Sequence, residues 1–219
     1  KNMKIKFLGL VSYSDTLQNM QTFTQTRTPE TPDEIWILEH PPVFTLGRHA
    51  DPAHLLQTDP NIPIIKTDRG GQITYHGPGQ LIIYFLLDLK KLKMGPKELV
   101  FHIEKSVINL LARYQIQAQT ICGAPGIYIG PKKIASLGLR ITHGFCYHGL
   151  SLNTQMDLSP FKLINPCGYQ NLEMTQMADY LDFDQIPDLK IKNLGEEYLA
   201  IFQKNYASKS SEKLITCEK

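Results

Sequence analysis

Apolar positions recur with different periods along the chain, and each period predicts an element. Ile5-Lys6-Phe7-Leu8-Gly9-Leu10-Val11 reads as a first strand, and Ser14 or Asp15 is placed to cap a helix whose face carries Leu17, Met20 and Phe23. Glu34-Ile35-Trp36-Ile37-Leu38-Glu39 reads as a strand that runs into His40-Pro41-Pro42, where two prolines enforce an extended turn. Residues 62–67 and 81–89 predict further strands, the second apolar enough to be buried on both faces, with a glycine-rich loop between them. Pro96 opens the clearest helix and puts Leu99, Val100, Ile103, Val107, Leu110, Leu111 and Tyr114 on one packing face. Short strands are predicted at 127–129, 133–141 and 145–153, then an irregular stretch over 154–174 and a last amphipathic helix through Leu194, Tyr198, Ile201 and Phe202. Because strands come in runs rather than in strict alternation with helices, the expectation is α+β with a mixed β-sheet and flanking helices. One domain over 1–206 is expected, followed by a polar, loosely ordered tail over 207–219.

Composition narrows the function. A chain of 219 residues with 42% hydrophobic content can bury a core of its own. Its 23 Lys+Arg against 21 Asp+Glu lack the strongly basic balance of a phosphate-binding surface, so nucleic acid is not expected as a partner. The apolar run at the amino end stops at Val11, too short for a signal peptide, and no stretch reaches the roughly 20 apolar residues that cross a bilayer. A cytoplasmic protein without a membrane partner is the expectation. Cys122, Cys146, Cys167 and Cys217 are widely spaced and form no C-x-x-C pair, which argues against a disulfide framework or a zinc knuckle.

Four segments could carry chemistry. Arg69-Gly70-Gly71-Gln72-Ile73-Thr74-Tyr75-His76-Gly77-Pro78-Gly79-Gln80 can bring backbone N–H groups close to a ligand, but it is neither a Walker A loop nor a dinucleotide fingerprint. In Lys132-Lys133-Ile134-Ala135-Ser136-Leu137-Gly138, strand alternation sends one lysine inward beside apolar residues, where a lysine can act as a base; alternation does not say which. Tyr147-His148-Gly149-Leu150-Ser151 is a strand that could lie alongside, and Cys146 and His148 form a C-x-H pair with no second pair at metal-ligand spacing. In Asn165-Pro166-Cys167-Gly168 a cysteine sits on a tight turn, where it can be presented to a cleft, whereas Cys122, Cys146 and Cys217 read as inert buried thiols. As a nucleophile Cys167 needs a basic partner, and the candidates are Lys133, Lys132, His76 and His148.

These blocks, together with Glu39-His40-Pro41-Pro42-Val43-Phe44-Thr45-Leu46-Gly47-Arg48 and in this order, resemble the octanoyltransferases of lipoate biosynthesis over roughly residues 5–181. The resemblance implies a fold similar to the catalytic domains of biotin and lipoate protein ligases. It also implies transfer of octanoyl from octanoyl-acyl carrier protein to a lysine of lipoyl domains, those of 2-oxoacid dehydrogenase E2 subunits and of the glycine cleavage H protein. By the same resemblance Cys167 falls on the acyl-thioester residue and Lys133 on its partner. Arg69 to His76, Ser136 to Gly138 and Gly149 to Ser151 fall on the substrate-binding segments. No metal, nucleotide or other cofactor is implied. Ile73, Tyr75, Leu137 and Leu150 are expected to wall the acyl slot, and the 76–79 turn or the Gly149 strand to stabilise an oxyanion. Lys90, Lys91, Lys93 and Lys97 form a basic cluster that could meet an acidic carrier. The alternative is a lipoate or biotin-type ligase acting through an acyl-adenylate; it needs a nucleotide but no cysteine nucleophile, so the Cys167 turn argues against it.

Overall fold

The computed structural model describes residues 3–182 and 190–207. A seven-stranded mixed sheet runs in the order β1 (Lys4–Leu10), β2 (Glu34–Glu39), β6 (Gln80–Asp88), β10 (Phe145–Asn153), β9 (Lys132–Thr142), β8 (Ala124–Ile129) and β7 (Gln119–Ile121). A second sheet of three short strands places β3 (Val43–Leu46) between β4 (Ile64–Lys66) and β5 (Ile73–His76). The helices are α1 (Tyr13–Thr26), a single turn α2 (Leu89–Leu92), α3 (Pro96–Arg113) and α4 (Ile191–Ala207). The α+β class with a mixed sheet is what the strand runs predicted.

The central strand β6 explains the layering. It is buried on both faces, as its continuous apolar run requires. Leu81, Ile83, Phe85 and Leu87 pack with Ile35 and Ile37 against Leu99, Ile103, Val107 and Leu110 of α3 and Leu194, Tyr198 and Phe202 of α4. Ile82, Tyr84 and Leu86 face the other way, onto Met20 of α1 with Trp36, Leu38 and Tyr147. Period two on the strand therefore sorts one sequence into two cores. The antiparallel registers Gly149↔Tyr84 and Gly149↔Gly138 then line up β6, β10 and β9 side by side, so that Ser136, Gly138, Gly149 and Ser151 share the α1 face with Ile82 and Tyr84, whereas Leu137 and Leu150 pair with each other and with Ile83 on the α3–α4 face.

Local expectations shifted in understandable ways. Ser12, rather than Ser14 or Asp15, caps α1 by accepting from the Asp15 N–H, because the strand ends at Leu10 and the helix starts three residues later. Part of the glycine-rich loop is strand: Ile73–His76 pairs antiparallel with Val43–Leu46 just after Pro41-Pro42, a tertiary pairing that no local period announces. The polar tail expected from residue 207 lies, beyond Ala207, outside the described residues.

Phe85 is fully buried and its ring meets those of Tyr198 and Phe202, with centroids 6.3 and 5.2 Å away. Phe85→Ala is expected to lower the unfolding free energy by about 3–5 kcal/mol, read from the denaturant midpoint, because the α3–α4 layer loses its central contact with the sheet.

Candidate active site

Cys167 occupies a left-handed backbone conformation, φ 57° and ψ 18°, within a short 3-10 turn over Pro166–Gly168. For a residue with a Cβ this costs about 1 kcal/mol, and it is held by what surrounds it. The Asn165 N–H donates to the His54 carbonyl at 2.8 Å, the Gly168 N–H donates to the Asn165 carbonyl at 3.0 Å, and the Tyr169 hydroxyl donates to the Gly123 carbonyl at 3.0 Å. Gly168 follows at φ +81°, where a Cβ would come within 3.0 Å of Gln72 Cγ. The turn thus presents the thiol, half-buried, to the interior side of the loop.

Lys133 comes to it from β9. Its side chain is 1% exposed, and Nζ donates to the Pro125 carbonyl at 2.7 Å and to Cys167 Sγ at 3.0 Å. The backbone of Lys133 is held on the other side, its N–H by the Glu173 carbonyl and its own carbonyl by the Thr175 N–H, both at 2.9 Å. The choice alternation left open is decided by burial: Lys132 is exposed and pairs with Glu173 at 3.3 Å, while Lys133 points inward. Room for the buried lysine comes from Gly126 on β8, at φ +124°, where a Cβ would fall 2.4 Å from Lys133 Cε and 2.7 Å from the Ala135 carbonyl oxygen. Sequence reading passed over Gly126, because a single glycine in a strand carries no sign of which side chain crosses it.

The thiol and ammonium open into a cavity of about 270 Å³. Arg69, Gly70, Gly71, Gln72, Ile73, Thr74 and His76 line it from the loop and β5, Ser136, Leu137 and Gly138 from β9, and Gly149, Leu150 and Ser151 from β10. Every predicted substrate-segment residue is brought together there except Tyr75. That residue is buried in the small sheet, its ring 5.6 Å from Phe44 and 5.4 Å from Phe161, and it does not wall the slot. The lining also includes Tyr13, Tyr84, Pro125, Leu139, His148 and Tyr169, which come from elements far apart in sequence. Ser136 Oγ lies 3.9 Å from Cys167 Sγ.

The loop is fastened down at several points. Arg69 is buried; its Nη2 donates to the Thr45 carbonyl and hydroxyl, both at 2.8 Å, and its Nη1 to the Gly70 carbonyl at 2.9 Å. Gly70 N–H donates to the Leu139 carbonyl at 2.9 Å, which ties the loop to the edge of β9 beyond the reach of β8. Gly47 must stay a glycine, since a Cβ there would sit 2.1 Å from the Gly71 carbonyl oxygen. Asp68 accepts from His148 Nε2 at 2.8 Å, from Gln21 Nε2 at 3.1 Å and from the Tyr147 hydroxyl. Burial alone would raise this carboxyl, but those hydrogen bonds, His148 first, outweigh it and hold it down at about 2.

Several expectations are corrected here. The Gly77–Pro78–Gly79 turn does not line the cavity, and the Gly79 N–H donates to Glu39 Oε1 at 2.7 Å, which takes that donor away from an oxyanion. His76 and His148 are not partners of the thiol: His76 Nδ1 donates to Gln80 Oε1 at 2.7 Å, and His148 faces Asp68. Burial lowers both imidazoles, His76 to about 3, which leaves them neutral. Lys90, Lys91, Lys93 and Lys97 are exposed, but Lys90 packs on Gly144 at the β9–β10 turn, the opposite end of β9 from Lys133. That end is about 30 Å away along the strand at ~3.3 Å per residue. Of the other cysteines, Cys146 is buried and pushed up to about 12 by that burial, Cys122 is exposed and disulfide-bonded, against the expectation of an inert buried thiol and of no disulfide, and Cys217 lies outside the described residues.

Residues 12–203 match the family described as the lipoyl protein ligase A/B catalytic domain. Among solved structures, a putative lipoate protein ligase from T. acidophilum superposes with a TM-score of 0.73 at 14% identity, covering 94% of this chain and 86% of its own. A biotin protein ligase from Aquifex aeolicus gives 0.53 at 14% identity, covering 95% and 69%. Fold and site together define an acyl-transfer domain of the lipoate ligase type. The octanoyltransferase of Dechloromonas aromatica (strain RCB) is 60% identical over 176 residues, 80% of this chain and 85% of that protein. That of Francisella tularensis subsp. novicida (strain U112) is 54% identical over 202 residues, 92% of this chain and 95% of that protein. The chain belongs to the octanoyltransferase family.

Two outcomes follow from this geometry. Gly126→Ala, at φ +124° and with its Cβ against both the Lys133 stem and the Ala135 carbonyl oxygen, is expected to strain β8 and displace the Lys133 side chain, lowering octanoyl transfer by ten- to a hundredfold in a steady-state assay. For Asp68, a folded value of about 2 lies below the ordinary 3.8, so its contribution to stability is present above about pH 4 and is lost as pH falls through about 2. The stability gap between wild type and Asp68→Asn should therefore be full at pH 6 and shrink in acid, measured by denaturant unfolding across pH.

Proposed function

We propose that this octanoyltransferase carries the acyl group as a thioester on Cys167, takes it from octanoyl-acyl carrier protein and delivers it to a lysine of a lipoyl domain. The observation that carries the reading is the 3.0 Å contact between the buried Lys133 ammonium and the Cys167 sulfur at one wall of an otherwise largely apolar cavity. The acceptor has support from a relative of like fold, an archaeal bipartite lipoate protein ligase studied with its E2 lipoyl domain.

In the first half-reaction the Cys167 thiolate, stabilised by the adjacent ammonium, attacks the octanoyl thioester carbonyl. The new C–S bond forms, the carrier's C–S bond breaks, and Lys133 gives its proton to the departing thiol. In the second, the substrate lysine amine attacks the acyl-cysteine, neutral Lys133 takes the proton from the attacking nitrogen, and the Cys167 thiolate leaves. Ammonium and thiolate are then restored. A thioester is exchanged for a thioester and then for an amide, so no nucleotide is consumed. Arg69 to Thr74 with His76, Ser136 to Gly138 and Gly149 to Ser151 hold the acyl chain during both steps. Tyr75 supports the loop from behind.

Intact-mass measurement after incubation with octanoyl carrier protein should find a single octanoyl adduct that hydroxylamine releases and that Cys167→Ser lacks. Lys133→Met should slow both half-reactions by about 10²- to 10⁴-fold. An adduct that persists in Cys167→Ser, or ATP-dependent transfer of free octanoate, would overturn the reading.

A further inference from the structure

A carboxylate that the transfer steps above do not use stands close to the Lys133 ammonium. Glu104 is half-buried on α3, and its carboxylate accepts from the Gly126 N–H. Gly126 is also the residue on which the end of Lys133 rests, since a Cβ there would come within 2.4 Å of Lys133 Cε and 3.0 Å of Nζ. Carboxylate and ammonium therefore meet across one glycine. With backbone bonds of ~1.5 Å and a hydrogen bond of ~2.9 Å along that path, they are at most about 9 Å apart. Burial raises the Glu104 carboxyl, while the Gly126 N–H and the Lys133 charge oppose the rise and favour the ionised form.

The other groups around Lys133 carry no second negative charge to it. From the turn, Cys167 Sγ accepts from Nζ at 3.0 Å. From β8, the Tyr128 ring lies 5.6 Å from Nζ; its hydroxyl is buried without a hydrogen-bond partner and is pushed up to about 12, first by burial and then by Cys167, Tyr169 and Glu104, so it stays neutral. From the loop, Arg69 brings positive charge toward Cys167. The Glu173 carboxylate is exposed and pairs with Lys132. On α3 itself, His102 lies 3.9 Å from Glu98 and Lys105 sits over the Phe101 ring. Among the described residues Glu104 is the carboxylate that acts on Lys133.

The two half-reactions need it unequally. In the free protein a Cys167 thiolate compensates the ammonium beside it. In the acylated protein that sulfur is uncharged, yet a lysine with 1% exposure must still take a proton from the attacking nitrogen. The charge gained at that moment has Glu104 to meet it.

We propose that Glu104 is a positioning residue for the second half-reaction: its carboxylate, held on Gly126, favours the ammonium form of Lys133 while Cys167 carries the acyl group, and so makes Lys133 an effective base toward the acceptor amine. This rests on the Cys167 thioester reading. In that step the C–N bond forms, the acyl C–S bond breaks, the proton passes from the attacking nitrogen to Lys133 Nζ, and the sulfur leaves as thiolate. Glu104 neither gains nor loses a proton in it.

The test times the two halves separately on the whole protein. Acylation by octanoyl-acyl carrier protein, and transfer from the isolated octanoyl-protein to a lipoyl domain, are each followed in single turnover by intact mass across pH. Glu104→Gln keeps the shape and removes the charge; near neutral pH it should slow transfer by about ten- to a hundredfold and acylation by no more than about threefold. The transfer deficit should shrink as pH falls, because the wild-type carboxylate then takes up a proton and becomes as neutral as the amide. Glu104→Asp keeps the charge on a shorter stem and should restore part of the transfer rate. If Glu104→Gln does not fold, Glu104→Asp decides, and it should still slow transfer more than acylation. Equal slowing of both halves, a transfer deficit that is the same at every pH, or no deficit at all overturns the role of Glu104. A wild-type protein that gains no octanoyl mass at Cys167 overturns the thioester reading, and this inference with it.

Discussion

A lysine ammonium with 1% exposure has to find its partners inside the protein, and the site is arranged around that need. One partner is the Pro125 carbonyl and the other is the Cys167 sulfur. A lone buried ammonium would be costly; an ammonium beside a sulfur that can bear negative charge is compensated, and the compensation is also the arrangement that the proposed transfer uses. Stability and chemistry draw on the same contact. The glycine at 126 follows from it, because the lysine stem occupies the space of a side chain on the neighbouring strand.

The remaining constraints hold the sulfur still. Cys167 sits in a conformation that most residues avoid, on a turn braced by His54, Gly123 and Gln72. Opposite it, the loop of residues 67–72 is fixed by the buried guanidinium of Arg69 on one side and by the Asp68 carboxylate on the other, which gathers His148, Tyr147 and Gln21. Adjacent residues of opposite charge therefore secure one loop to both sheets and to α1. The cavity between turn and loop is thus shaped by elements fastened on both sides.

Glu39-His40-Pro41-Pro42 illustrates how a motif can lie near a site without touching it. Glu39 holds the Gly79 N–H, His40 receives the Tyr84 hydroxyl, and the prolines turn the chain from the large sheet into the small one. These residues support the wall and the loop from outside the cavity. The histidines that looked like candidate bases, His76 and His148, do line the cavity, but burial lowers both imidazoles and their bonds point to Gln80 and Asp68 rather than to the thiol.

The sequence by itself determined the α+β class, the doubly buried strand β6, the α3 face and the four blocks that resemble the octanoyltransferases. Each of these rests on local period, turn chemistry or residue order, which survive without knowledge of what packs against what. It marked Cys167 as a presented thiol and left the inward lysine open between two neighbours. Only the tertiary structure decided the rest: that Lys133 is the buried one because β8 leaves it room at Gly126, that Tyr75 turns into the small sheet while Ile73, Thr74 and His76 line the cavity, and that the basic cluster sits at the far end of β9. Tyr13, Tyr84 and His148 come together from a helix and two strands, and no spacing along the chain encodes that meeting. Long-range pairing sets it, and pairing is a property of the folded sheet rather than of any segment within it.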